Sequence, residues 1–364
     1  MTRKKTASRG TWGTIRVSPR KGAYGGGGAV ALVGVSLAIW VALGYPLLLK
    51  GQRYAYNPEE RGDLCPRREP GLRDVPCVLP DVPHLVTLEG FVPPNYRTKR
   101  FTYSTNSSVH RGAREFSRTR SPDVFRIIVL GTGVSFGNGV DDEDVYTAIL
   151  ERKLEEAGKW DYEVYNMAIP GSTTDTGMRE LKRVTDQFEF DYLIFCYGVN
   201  DGLPMFERPV DRYAATLMEL VHHKKSNDLP MLVAVEPRSS FYPWPYEGYK
   251  AQFDRLITDD PAMDVIDLPA VLDEVEKHHG LRLVREGTTQ KVVEYHWGKA
   301  RTLFEVDYEA EEREQSVSPD VYEFLDTHRV NQATYIDGVH LSEEGMEIVA
   351  DELQAFLSAR GLVE

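Results

Sequence analysis

Residues 125–364 are predicted to form an α/β fold, a three-layer α/β/α arrangement around a parallel five-stranded sheet. Three observations carry this. The stretch Phe125–Val140, FRIIVLGTGVSFGNGV, opens with Phe125, Ile127, Ile128, Val129 and Leu130, the continuous apolar run of a strand buried on both faces. Gly131, Gly133, Gly137 and Gly139 then turn the chain, and a helical pattern with acids in its first turn begins at Asp142. Beyond it strands and helices alternate, which implies right-handed crossovers and helices on both sheet faces.

In order, Tyr162–Ala168 reads as the second strand and Thr173–Phe188 as a helix. Asp191–Gly198 (DYLIFCYG) is a strongly buried third strand, followed by a helix over Pro209–Lys225. Pro230–Glu236 (PMLVAVE) is the fourth strand, a helix runs near Glu247–Thr258, and Met263–Leu268 is the fifth strand. Pro319–Thr327 and Ser342–Ala359 close the chain as helices, and the charged, irregular stretch around 280–318 reads as an insertion. Phe241–Tyr246 (FYPWPY) follows the fourth strand; its rings suit stacking on a sugar or acyl chain and equally suit packing of a rigid loop.

Upstream the pattern changes. Residues 1–50 hold eight basic residues and no acid; removing them from the 43 Lys and Arg leaves 35 against 56 acids. A surface that acidic repels nucleic acid, so no nucleic-acid partner is expected. Ala29–Leu49 is an uncharged apolar run of 21 residues, long enough as a helix to span a bilayer core of roughly 30 Å. No small-residue cleavage site closes it, which favours an uncleaved transmembrane anchor over a signal peptide. The basic flank places the N-terminus in the cytoplasm and the main domain outside the cytoplasm. Residues 1–28 then form a disordered basic cytoplasmic tail, and the proline-punctuated residues 50–124 an extracytoplasmic stalk with short strands around His84–Leu88 and Arg100–Ser104. Cys65 and Cys77 suit a small disulfide loop there, while Cys196 reads as a buried small hydrophobe. Asn106-Ser107-Ser108 matches a glycosylation acceptor, a tripeptide common by chance.

Four short segments fall at the ends of these elements: GTGVSFG after the first strand, IPGS (Ile169–Ser172) after the second, GVND (Gly198–Asp201) after the third, and DGVHLS (Asp337–Ser342) before the last helix. Asp337 and His340 stand three apart, a spacing that lets a carboxylate fix the tautomer of an imidazole whose other nitrogen acts as general base. Read alone, Asp337 merely stabilises a turn. A glycine turn at Gly171 and an amide at Asn200 are the donor types an oxyanion hole needs, although a plain turn and a local Asx-turn explain either singly. Metal binding needs more ligands than these, and the remaining histidines are scattered or paired at helix ends (His222, His223, His278, His279). Neither metal nor cofactor is expected.

Order, spacing and position together resemble the SGNH/GDSL hydrolases, esterases, lipases and carbohydrate deacetylases on a flavodoxin-like sheet. The likeness spans about Phe125–Leu357. It implies His340 and Asp337 as catalytic pair, Gly133, Gly171 and Asn200 as oxyanion donors, and a carboxylic ester as substrate, an acyl or acetyl group on a cell-envelope glycan or lipid. The family's Gly-Asp-Ser aligns with Gly131-Thr132-Gly133, so the nucleophile position is Gly133 and the attacking hydroxyl is missing. Three outcomes remain open: a pseudoenzyme that binds an ester without turnover; a water activated by His340; or Ser135 as substitute nucleophile, since Gly133-Val134-Ser135-Phe136-Gly137 fits the G-x-S-x-G pattern. A non-catalytic assembly module and an O-acyltransferase are the rival functions on the same fold.

Overall fold

The computed structural model describes residues 70–78, 100–158, 160–202, 209–241, 246–259, 263–308, 318, 320–321, 324, 333–336 and 339–363. The basic tail, the apolar run Ala29–Leu49, Cys65, the side chain of Cys77 and the expected strand at His84–Leu88 lie outside the described residues. Among those described, no helix is long and apolar enough to cross a membrane.

Strands β1 (Val75–Val78) and β2 (Arg100–Tyr103) pair antiparallel. The expected stalk differs from this over its last part. Phe101 and Tyr103 are buried in the same apolar cluster as Ile127 and Val129 of the main sheet. Burying two aromatic rings brings their backbone onto the domain, and the bulge that follows is closed by its own hydrogen bonds. Asn106 is part of that closure. It is fully buried, donates to the Arg114 carbonyl at 3.2 Å, and accepts from the backbone N–H groups of Ser108 and His110 at 3.0 Å. The folded chain therefore leaves no room for a glycan on Asn106.

The main domain runs β3 (Val124–Gly131), α1 (Gly133–Phe136), a 3₁₀ turn (Asp142–Asp144), α2 (Tyr146–Ala157), β4 (Asp161–Asn166), α3 (Thr174–Gln187), β5 (Tyr192–Tyr197), α4 (Val210–Asn227), β6 (Met231–Val235), α5 (Tyr246–Asp259) and β7 (Asp264–Asp267). The five strands lie parallel in the order β4-β3-β5-β6-β7. The chain winds one way from β3 to β4 and the other way from β5 onward, so the loops after β3 and β5 diverge. That divergence opens a crevice at the carboxyl ends of the strands.

Each face of the sheet buries its own apolar cluster. Ile127, Val129, Ile194 and Leu232 pack on one face with Ile149, Leu150 and Leu154 of α2. Ile128, Leu130, Leu193 and Val233 pack on the other with Leu181 of α3, Leu217 of α4 and Phe253 of α5. Arg126 is the one charge in the middle of β3. Its guanidinium is buried over the Tyr165 ring, bonded to Glu163 at 2.7 Å and to the carbonyls of Ser117 and Glu189 at 3.0 Å. A buried cation with every donor used is a structural clasp between the incoming chain and the sheet.

Three readings of the sequence need correction. The expected glycine turn after β3 contains a one-turn helix, α1. A further helix, α6 (Leu268–His278), follows β7 without a loop, because Asp267 caps it by accepting from Ala270 N–H at 3.1 Å and Pro269 sits in its first turn. The insertion near 280–318 is ordered over its first part: β8 (His279–Glu286), β9 (Thr289–His296) and β10 (Lys299–Asp307) form an antiparallel sheet. Its turn Trp297-Gly298 has φ of 51° and 73°, the mirror-type pair that matches the strand twist. Leu281, Leu283, Val292, Phe304 and Val306 face inward onto Phe241 and Val321. Charged residues occupy the outer positions, which is why the stretch looks irregular. Phe241 is thus a packing ring; residues 242–245 lie outside the described residues. Of the expected helix Pro319–Thr327, Asp320, Val321 and Phe324 are described and helical. The last helix, α7 (Glu343–Ala359), packs its Val349, Leu353 and Leu357 into the first cluster.

Candidate active site

The crevice is built from the ends of β3, β4, β5 and β6 and the segment before α7. Its first part is the turn after β3. Thr132 caps α1, and Gly137 ends it at φ 83°, a left-handed conformation that a side chain rarely adopts. A Cβ on Gly137 would also lie 2.4 Å from Val145, so the return of the chain is fixed. Arg111 secures the same turn from the N-terminal segment. Its buried guanidinium donates to the carbonyls of Phe136 (3.1 Å), Gly137 (3.0 Å) and Val140 (2.8 Å), and pairs with Asp142 at 2.5 Å.

The second part is IPGS. Gly131 O accepts from Ile169 N–H at 2.8 Å and from the Ser172 hydroxyl at 3.3 Å, so this segment hangs on the end of β3. Gly171 stands at φ 71° in open space. The third part is GVND. Asn200 Nδ2 donates to Ser172 O at 2.7 Å, and the Asp201 carboxylate accepts from Thr174 N–H (3.0 Å) and the Thr174 hydroxyl (2.5 Å). These bonds tie Asn200 to the Gly171 turn.

Glu236, at the end of β6, joins the first and third parts. It is buried, accepts from the Thr132 hydroxyl, and accepts from Val199 N–H at 3.0 Å. Burial pushes its carboxyl up to about 8, against the pull of the hydrogen bonds it accepts from Thr132 and Val199. Thr132 stands where the resemblance expects an aspartate, and the acid beside it is Glu236 from β6, two strands away in the sheet. The only sequence signal for it is a lone glutamate closing an otherwise apolar strand.

The last part carries His340. Ile336 N–H donates to His340 O at 2.8 Å, and Ser342 N–H to Thr334 O at 3.0 Å, forming a tight bend before α7. Glu276 of α6 anchors this bend from below, accepting from Thr334 N–H at 2.9 Å and its hydroxyl at 2.6 Å; burial raises its carboxyl above the ordinary range. Asp337 lies outside the described residues.

His340 and Gly133 stand side by side. A Cβ built on Gly133 would lie 3.1 Å from His340 Nε2 and 2.7 Å from Asn138 Nδ2. Asn138 Nδ2 lies 3.3 Å from His340 Nε2. The imidazole thus faces Gly133, a residue without a side chain. Ser135 points elsewhere. It is fully buried, its hydroxyl accepts from the Tyr146 hydroxyl at 2.8 Å, and its carbonyl accepts from Asn166 at 2.7 Å. Burial pushes the Tyr146 phenol well above its ordinary value, so it remains a donor to Ser135. Cys196 is buried beneath them, its thiol likewise pushed up by burial. Among the described residues no group of three or more His, Cys, Asp or Glu is arranged to hold a metal ion. Asn138, Glu236 and Arg111 are the residues that reading the sequence missed.

With this geometry in place, the model of the GDSL-like Lipase/Acylhydrolase family matches residues 128–348. The chain belongs to this family. Curated relatives of the GDSL-like domain include an arylesterase of Vibrio mimicus, 29% identical over 113 residues that make up 31% of this chain and 56% of the arylesterase. Esterase TesA of Pseudomonas aeruginosa is 30% identical over 77 residues, 21% of this chain and 38% of that protein. The chain thus spans about half the length of the first and under two fifths of the second. Among solved structures, LAE5, an alpha/beta hydrolase enzyme from the metagenome of Lake Arreo, overlays with a TM-score of 0.44 at 14% identity, covering 66% of this chain and 96% of that one. The lipase/acylhydrolase of Enterococcus faecalis overlays at 0.43 and 17% identity, with 65% and 96% covered.

Proposed function

We propose that this GDSL-like domain binds a carboxylic ester, an acyl or acetyl group on a cell-envelope glycan or lipid, with no turnover through a serine, on the extracytoplasmic side of a membrane anchor at Ala29–Leu49. One observation carries the catalytic half of this reading: the residue beside His340 Nε2 is glycine. Gly133 N–H, Gly171 N–H and the Asn200 amide supply donors for a carbonyl oxygen. Asp337 orients His340, as the family resemblance implies. What the pocket lacks is an oxygen to attack with. Ser135 does not supply one, because its hydroxyl is buried under Gly131 and bonded to Tyr146. Acyl transfer through a covalent acyl-enzyme requires the same oxygen and is disfavoured on the same ground.

The test is hydrolysis of p-nitrophenyl acetate by the full chain in detergent. The expected rate equals that of buffer. Turnover abolished in Ser135→Ala would instead make Ser135 the nucleophile. Turnover abolished in His340→Ala but retained in Ser135→Ala would make water the nucleophile. The anchor is tested by carbonate extraction of membranes: the chain is expected in the pellet, and a soluble chain would refute that half.

A further inference from the structure

Asn138 returns to the bend that Gly133 forms. Its backbone N–H donates to Gly133 O at 3.0 Å, and the Arg111 guanidinium holds the carbonyls of Gly137 before it and Val140 after it. These bonds fix the backbone from which the side chain projects. It is 7% exposed. Its Nδ2 lies 2.7 Å from where the Cβ of a residue at 133 would stand and 3.3 Å from His340 Nε2. Its Oδ1 is buried with no hydrogen-bond partner among the described residues. Buried amides ordinarily satisfy both ends. Here one end meets the imidazole and the other is left unbonded, so the side chain's own hydrogen bonding does not explain its placement. A serine at 133 would need both the volume this amide fills and the Nε2 atom it faces. Admitting one means swinging the amide off His340.

We propose that Asn138 is the positioning residue that stands in for the missing serine hydroxyl: it fills that space and donates to His340 Nε2. This rests on the reading of the pocket as a hydrolase site without its attacking oxygen.

The test is labelling of the full chain in detergent by a fluorophosphonate. In that reaction the serine oxygen bonds to phosphorus, fluoride leaves, and His340 Nε2 takes the hydroxyl proton. Gly133→Ser combined with Asn138→Ala is expected to label roughly tenfold faster or more than Gly133→Ser alone, and adding His340→Ala is expected to abolish labelling. Equal rates with and without Asn138→Ala would overturn the role of Asn138 and leave the pocket reading standing. No labelling of either variant, with native circular dichroism, would overturn both. A readout independent of serine is the ¹⁵N resonance of His340 Nε2 in the otherwise unmodified chain. Asn138→Ala is expected to move it downfield, as loss of a donated hydrogen bond does, while Ser135→Ala leaves it in place. An unmoved resonance in Asn138→Ala would overturn the proposal.

Discussion

Two buried polar centres flank the turn after β3, and they differ in how completely they are satisfied. The Thr132–Glu236–Val199 centre is closed: a backbone N–H meets one oxygen of the carboxyl, and the Thr132 hydroxyl, able to donate to the carboxylate or accept from the acid, meets the other. The Gly133–Asn138–His340 centre is open: a backbone without a side chain, a long amide contact and an oxygen with no hydrogen-bond partner among the described residues. Closed networks hold a fold together, whereas open ones are where a ligand has something to bond.

Substitutions at the closed side are expected to act on stability, and those at the open side on chemistry. The largest effect belongs to Arg111→Ala, which strips three buried carbonyls of their side-chain donor and leaves the half-buried Asp142 without its cation. The orphaned carbonyls and lost packing are expected to cost about 2–4 kcal/mol in chemical denaturation; a loss below about 1 kcal/mol would mean that Arg111 does not secure the turn. Glu236→Ala comes next, at about 2–4 kcal/mol from two orphaned donors and the cavity left behind.

Glu236 also sets a pH dependence. Its folded carboxyl titrates near 8 against an ordinary 4.5, so between those values the folded state holds a proton that the unfolded state has released. Stability contributed by this group is complete below about 4.5, falls as pH rises, and is lost once pH passes about 8. The slope is at most about 1.4 kcal/mol per pH unit. Glu236→Gln is expected to flatten that slope in thermal melts from pH 5 to 8; an unchanged slope would assign it to other groups.

Smaller effects sharpen the contrast. Ser135→Ala leaves the buried Tyr146 hydroxyl without its acceptor and is expected to cost about 1–3 kcal/mol, without altering ligand binding. Asn138→Ala removes an oxygen without a hydrogen-bond partner among the described residues, and its effect on stability is expected within about 1 kcal/mol of zero. A larger loss there would show that the open centre is structural too.

The fold was legible where burial on both faces writes a continuous apolar run, as in β3 and β5, and where a helix pattern follows a turn, as in α3. The helix α6 was not, because β7 passes into it through Asp267 without a loop to mark the change. The small sheet was missed because one face of it is solvated, so Leu281, Leu283 and Val292 alternate with charges instead of forming runs. Within the candidate site, His340, Gly133, Gly171 and Asn200 stand in local patterns that the sequence displays. Glu236 and Asn138 were not, since each acts across the fold: Glu236 meets Thr132 from 104 positions away, and Asn138 meets His340 from 202. Such partners are set by the sheet order, which no local spacing encodes.

The most direct measurement is intact-mass analysis of the unmodified full chain after prolonged exposure to a fluorophosphonate. With glycine beside His340 and Ser135 bonded to Tyr146, the mass is expected to stay unchanged. An adduct on a serine of this chain that disappears in His340→Ala would contradict a pocket without an attacking oxygen.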